Sequence, residues 1–456
     1  MPFLDENYLL TNESAKKIFK QIKDLPIIDA HNHSDVVEIQ KNQNYSDIWF
    51  VEAATDHYVW ELLRKRGIEE KFITGDAIPK EKFLKMASVF EEIVGNPVYE
   101  WVHLDLKRQL GINLLINEEN AEQIWNQSQE ILQNPEMTPQ ALLNKMNVEV
   151  MCSTDDPVDL LKEHKKLKEN SDFKTEVLPT WRPDNAMKIF KPNFPRYIKK
   201  LEERVDNPIH SIDDLVSALK LTHDYFDKVG ARASDHGIEI PFGYKVDKEV
   251  ANRVLQKRLK GELLTTNEVK DFMSYMLHQF GKMNAESEWV MQIHIGAVRD
   301  IRKCLYENLG PDSGGDVSNH LVPILEPLNA FLNEFDGKLN LILYVLDPNH
   351  LPTIATLARA FGENVSLGAP WWFNDSPIGM KRQLEYIASV DLLMNFAGMV
   401  SDSRKLISYG SRTEMFRRVL SDVLGKMVEK GQMPLELATR CAKYVSYERK
   451  KELFEF

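Results

Sequence analysis

A chain of 456 residues with a formal net charge of −12 has room for one large α/β barrel with insertions or for two or three ordinary domains. Its acidic balance argues against general nucleic-acid binding or a basic membrane surface. Cys152, Cys304 and Cys441 lie far apart with no CxxC spacing, which argues against a disulfide frame and points to a reducing compartment. Met1 to Lys20 is polar with no signal-peptide core, and no apolar run approaches membrane-spanning length, so a cytoplasmic protein without a membrane partner is expected.

Leu9 to Ile22 has the pattern of a leading amphipathic helix, with Thr11 or Asn12 as its cap. The apolar run Leu25 to Ile28 predicts a buried first strand that ends in His31-Asn32-His33. Side chains two apart on a strand point to the same side. The two imidazoles therefore make half of a site for a borderline metal such as zinc. The plainer alternative is a strand end with two solvent-facing or hydrogen-bonded histidines. Residues 36–140 carry helical periodicity, with Phe83, Met86, Phe90 and Ile93 on one face, and predict a helical insertion after the first strand.

From Thr138 onward strands and helices alternate. Stretches at Val148–Cys152, Thr175–Leu178, Trp289–Ile295, Leu339–Leu346, Val365–Leu367 and Asp391–Phe396, with Arg232–Asp235 as the candidate fourth strand, predict seven further strands, and a second helical insertion is read at 247–287. Strands separated by helices mean a parallel sheet. Eight such units predict a single-domain (β/α)8 TIM-type barrel over 1–456, with reactive groups at the C-terminal strand ends. An open doubly wound sheet is the competing fold, but no GxGxxG follows a strand to support a dinucleotide crevice.

A metal held by His31 and His33 needs a third protein ligand and an open position. In a closed barrel the eighth strand lies beside the first, so Asp402, just past it, could complete the set. Two histidines and a carboxylate suit zinc, manganese or iron about equally by donor type. Asp402 could also cap the helix that follows it.

The order His-x-His on the first strand and Asp on the eighth resembles the amidohydrolase superfamily. Seven stretches in the right order resemble one branch of it, the uronate isomerases. They are Asp29-Ala30-His31-Asn32-His33, Asp56-His57-Tyr58-Val59-Trp60, Thr180-Trp181-Arg182-Pro183-Asp184, Ser234-Asp235-His236-Gly237, Gln292-Ile293-His294-Ile295-Gly296-Ala297, Trp371-Trp372-Phe373-Asn374-Asp375 and Ser401-Asp402-Ser403-Arg404. The resemblance implies reversible conversion of D-glucuronate to D-fructuronate and of D-galacturonate to D-tagaturonate, with one divalent metal and a small-molecule hexuronate as substrate. In that family the pair matching His57 and Tyr58 lies in the active site, the tyrosine is a proposed proton-transfer group, and arginines matching Arg182 and Arg404 contact substrate.

The residues suit such a reaction. Aldose–ketose isomerisation moves one proton from C2 to C1 and another between O1 and O2, which calls for a base, a holder of enediolate charge and a grip on the open-chain sugar. Tyr58, His57 and Asp402 are the candidates for proton transfer. The planar forks of Arg182 and Arg404 suit the substrate carboxylate, with Arg299 and Arg412 as further candidates. Trp371 and Trp372 could wall the sugar pocket or pack the barrel rim. Two-metal amidohydrolases use a lysine on the fourth strand and histidines on the fifth and sixth. Here the fourth ends in Ser-Asp-His and the sixth in Asp347-Pro348-Asn349, which argues against a bridged two-metal centre. His294 is a substrate contact or a fourth ligand, and His236 stands behind the ligands. Cys152 reads as a buried thiol. A metal-dependent amide or ester hydrolase is the alternative function, and homo-oligomerisation is left open.

Overall fold

The computed structural model describes residues 3–456. Seven strands form one parallel sheet: β1 (Ile27–Asp29), β2 (Val148–Asp155), β3 (Glu176–Trp181), β4 (Ala233–Ile238), β5 (Val290–Ile295), β6 (Leu341–Val345) and β7 (Val365–Leu367). They pair in chain order from β1 to β7. Every residue of β5 and β6 is buried, as in parallel strands covered on both faces. A short antiparallel pair, Ala297–Val298 with Val317–Ser318, stands apart from this sheet.

The register aligns the strand ends. Cys152 lies beside Leu178, Trp181 beside Ser234, Gly237 beside His294, and His294 beside Tyr344. The residues at and just past the C-terminal ends, His31, Asp155, Arg182 and His294, thus reach a common cavity.

The expected eighth strand over Asp391–Phe396 does not form. Leu393–Asn395 is a single 3-10 turn, and the chain beyond it runs irregularly. This segment nevertheless lies between β7 and β1: Ala397 N donates to Leu367 O at 2.9 Å, Asp402 N to His31 O at 3.2 Å, and His33 N to Ser403 O at 2.9 Å. A regular ladder fails because Ser401 N is taken by the Asp29 carboxylate at 2.7 Å, and because Gly398 and Asp402 have left-handed φ values of 88° and 48°, outside the strand region.

Helices fill the connections. Between β1 and β2 they include Ile48–Glu52, His57–Lys65, Pro79–Phe90, Pro97–Arg108 and Ala121–Leu132; between β4 and β5 they are Lys248–Leu259 and Thr266–Glu286. Local chemistry sets their starts. Asp56 caps His57–Lys65 by accepting from Tyr58 N, and Ser211 and Thr265 form capping boxes with Asp214 and Glu268. The leading helix is Glu13–Ile22, capped by Asn12, while Thr11 donates its backbone N–H and hydroxyl to Asp422 on the long helix Ser408–Glu429. Among the described residues no helix is long and apolar enough to cross a membrane.

Candidate active site

The two ends of the chain meet at β1. Asp29 is buried and accepts from Ser401 N and, at 2.6 Å, from Ser401 Oγ. This anchors the 401–404 run beside the histidines. Asp402 Oδ1 lies 3.2 Å from His31 Nε2 and 3.3 Å from His33 Nε2. The left-handed backbone at Asp402 is one that a short polar side chain tolerates. Burial works to raise the Asp402 carboxyl, but hydrogen bonds to His31 and His33 outweigh it and hold it well below the usual carboxylate range. Burial lowers the His33 imidazole to about 4. Burial also depresses His31, but Asp235 and Asp402 overcome it and its pKa is raised.

Strand alternation decides what β4 contributes. Asp235 and Gly237 face the site. His236, two-fold out of phase, turns outward, where its Nε2 meets Ser234 Oγ at 2.8 Å and its ring stacks on Phe280. His236 is thus a packed core histidine, and Asp235 is the residue that matters there. Its Oδ1 accepts from His294 Nδ1 at 2.7 Å, and its Oδ2 lies 3.2 Å from Arg182 Nη1 and 3.7 Å from His31 Nδ1. Burial opposes ionisation of Asp235, but Arg182, His31 and His294 keep it well below its ordinary pKa. Gly237 has a steric reason: a Cβ there would collide with the Arg182 guanidinium and lie 3.3 Å from Asp184 Oδ2. Arg182 is held again by Asp184 at 3.3 Å, which also receives Lys188 Nζ at 2.6 Å.

The remaining wall comes from loops. His57 contributes to it, with Trp372 5.3 Å away between ring centroids. Burial, then the Arg404 charge, lowers the His57 pKa. Tyr58 lies behind the lining and reaches the site through its hydroxyl, 3.3 Å from Asp402 Oδ2. Burial and the Asp402 charge push its phenol well above the ordinary value, so it remains a donor. Trp371 packs against His294 at 4.8 Å, and Arg299 lies 4.9 Å over Trp372. Arg404 lines the same space and faces Asp312 at 3.9 Å. Arg412 does not: it is buried, donates to Asp375 at 3.1 Å and to Ser401 O at 2.9 Å, and stacks 4.0 Å over Trp101. That removes it from the carboxylate-binding candidates. Cys152 is buried, and burial pushes its thiol well up.

The result is a cavity of about 690 Å³ with His31, His33, His57, Arg182, His294, Trp371, Trp372, Asp402 and Arg404 in its lining. Of the site candidates named from the sequence, Tyr58, Arg412 and His236 lie outside that lining and the others are in it. Asp235 was missed, although period-two alternation in Ala233-Ser234-Asp235-His236-Gly237 would have placed it inward once Gly237 was given the site face. Two groups of potential metal ligands occur here, His31/His33/Asp402 and His31/Asp235/His294.

A family model for glucuronate isomerase matches residues 1–454. A uronate isomerase of Thermotoga sp. (strain RQ2) is 56% identical over 452 residues, covering 99% of either chain. The crystal structure of a uronate isomerase from Thermotoga maritima superposes with a TM-score of 0.98 at 54% identity, covering 100% of both chains. That of glucuronate isomerase from Caulobacter crescentus gives a TM-score of 0.94 at 26% identity, covering 99% of this chain and 97% of the other.

Proposed function

The chain belongs to the glucuronate isomerase family and acts as a uronate isomerase; we propose that it interconverts D-glucuronate with D-fructuronate and D-galacturonate with D-tagaturonate by proton transfer between C2 and C1. The observation that carries this mechanism is one carboxylate, Asp402, shared between two histidines and a phenol on the wall of an arginine-bearing cavity.

His31 Nε2, His33 Nε2 and Asp402 Oδ1 converge as an N,N,O donor set. Such a set fits one divalent ion, zinc, with manganese or iron matching the same donors. The second group suits a cation less, because Asp235 already faces the Arg182 guanidinium and accepts from His294. When bound, the ion supplies Lewis acidity to the oxygens of the sugar.

The chain's own groups do the rest. Asp402, held ionised, takes the proton from C2, exchanges it with solvent and delivers a proton to C1, and Tyr58 steadies that carboxylate through its hydroxyl. Neutral His57 in the wall moves the proton between O1 and O2. Arg182 and Arg404 grip the substrate carboxylate. His294 Nε2, buried and without a hydrogen-bond partner among the described residues, meets a sugar hydroxyl. Trp371 and Trp372 wall the sugar pocket.

In this reading, residues 396–403 serve as an irregular eighth unit that completes a (β/α)8 barrel, one domain over 1–456, with 36–140 and 247–287 as helical insertions. The three free cysteines suit a cytoplasmic setting. The hydrolase alternative is not favoured: the relatives described above are isomerases, and β4 carries no lysine of the kind a bridged two-metal centre uses. Purified protein supplied with D-glucuronate, or separately with D-fructuronate, tests the reaction. Both should reach the same mixture, and a uronate left unchanged from either side would refute it.

A further inference from the structure

Directly after Asp402-Ser403-Arg404, Lys405 turns away from the cavity into the protein. Its Nζ lies 3.0 Å from Glu52 Oε2, 3.6 Å from Asp56 Oδ2 and 3.7 Å from Asp105 Oδ2, and all four side chains are 3% exposed or less. Three carboxylates around one buried ammonium are a costly arrangement, and such clusters are poor stabilisers compared with apolar packing. Burial pushes the Glu52 and Asp105 carboxyls up, which eases the excess negative charge. Ser408 and Ser411 donate their hydroxyls to Asp105.

The connections explain what the cluster does. The carboxylates come from helix Ile48–Glu52, from the cap of helix His57–Lys65 and from helix Pro97–Arg108. Asp56 faces Lys405 with Oδ2 and, with Oδ1, accepts from Tyr58 N at 3.0 Å. On the other side, Ser403 Oγ accepts from Lys405 N at 3.1 Å and donates to Lys405 O at 2.9 Å, while Ser403 O accepts from His33 N. One route from Lys405 therefore leads through its own backbone to Asp402 and His33. The other leads through Asp56 to the start of the helix that carries His57 and Tyr58. The two routes meet at the Tyr58 hydroxyl and Asp402 Oδ2.

We propose that Lys405 is a positioning residue for the proton-transfer pair: its buried ammonium ties the 401–404 segment to the cap of the His57–Lys65 helix and thereby sets the separation of Tyr58 from Asp402. This rests on the isomerase mechanism above. A misplacement of about 1 Å at reacting groups costs about 100-fold in rate, so the tie has a measurable effect without touching substrate.

The test is a double-mutant cycle on uronate turnover by the metal-replete protein, with Lys405→Met, Tyr58→Phe and the pair. Lys405→Met should lower kcat by about 100-fold with KM nearly unchanged. In that background Tyr58→Phe should cost less than about twofold, because the pair is already apart. Lys405→Arg should recover part of the loss, and Lys451→Met, which removes a half-exposed partner of Glu149, should match wild type. If Lys405→Met does not fold, Asp56→Asn keeps the cap but removes the charge facing Lys405, and should lower kcat by about tenfold. Folded Lys405→Met with wild-type kcat, equal Tyr58→Phe factors in both backgrounds, or unchanged kcat in Asp56→Asn would each overturn the proposal. Wild-type protein that turns over neither uronate would remove the isomerase reading and this inference with it.

Discussion

Arg182 places Nη1 3.2 Å from Oδ2 of Asp235, a carboxylate buried at the end of the neighbouring strand whose other oxygen accepts from His294. A guanidinium from β3 and an imidazole from β5 thus share one negative charge from β4. Removing Arg182 leaves that buried charge without its guanidinium, with only imidazoles beside it among the described residues. Arg182→Met should therefore destabilise the fold by about 3 kcal/mol and lower kcat/KM by about 100-fold through loss of the charged grip. Among the described residues the ion pair of Arg404 is the long 3.9 Å contact to the half-exposed Asp312. Arg404→Met should raise KM by about tenfold or more while leaving stability nearly unchanged. Steady-state kinetics and urea unfolding check both, and unchanged kinetics in the two variants would contradict the carboxylate grip.

Tyr58 stands behind the cavity wall, its hydroxyl 3.3 Å from Asp402 Oδ2 and its ring 4.8 Å from that of His57. Tyr58→Phe keeps the ring packed against Trp101 and Arg412 but removes the donor. It should lower kcat by about 100-fold with little change in KM. Wild-type kcat in the variant would remove Tyr58 from the proton-transfer step.

Much of this was legible in the residues. The seven strands of the sheet fall within a few residues of the expected stretches; most are apolar because parallel strands buried on both faces must be, whereas β4, with Ser234, Asp235 and His236, is marked by its place in the strand–helix alternation. The histidine pair was legible from its two-residue spacing after an apolar run, although β1 stops at Asp29 and His31 and His33 lie just past it. The eighth strand was not, since Asp391–Phe396 is apolar enough to pass for one. Its sheet position is taken further on by 397–403, where a side-chain bond from Asp29 replaces a ladder bond, and no periodicity signals that. Lys405 was equally hidden. A lone lysine after an arginine reads as surface, and only the packing of three separate helices shows it to be buried.

The donor set of His31, His33 and Asp402 predicts that a chelator lowers both turnover and Tm, and that zinc, manganese or iron restores Tm. Metal analysis of the purified protein should give about one divalent ion per chain. His33→Asn should bring that content close to zero while retaining the fold. Full metal content in His33→Asn would contradict the site.

His103 lies far from the cavity and offers a stability test. Its Nδ1 meets the carbonyl of Tyr99 at 2.7 Å, so it must donate; its Nε2 accepts from Ile116 N at 2.9 Å. The ring is therefore held neutral, and burial lowers its pKa to about 4. An unfolded chain takes up this proton below about pH 6.5, whereas the folded chain does so only near 4. Unfolding then binds a proton between those values, and stability falls as pH drops through that window, by at most about 3 kcal/mol. Asp155 and Asp375, raised to about 7 by burial, contribute the opposite slope, so the effect is read as a difference. His103→Gln should lose less stability than wild type between about pH 6.5 and about pH 4.5 in urea titrations. Parallel losses would contradict the assigned neutral ring.

Proton NMR of the metal-replete protein with D-glucuronate in deuterated water reads the reaction and its route together. Proton transfer through Asp402 predicts conversion to the ketouronate with deuterium entering at C1. Conversion with no deuterium at C1 would contradict an exchangeable carboxylate base, and no conversion of D-glucuronate or D-galacturonate would contradict the isomerisation itself.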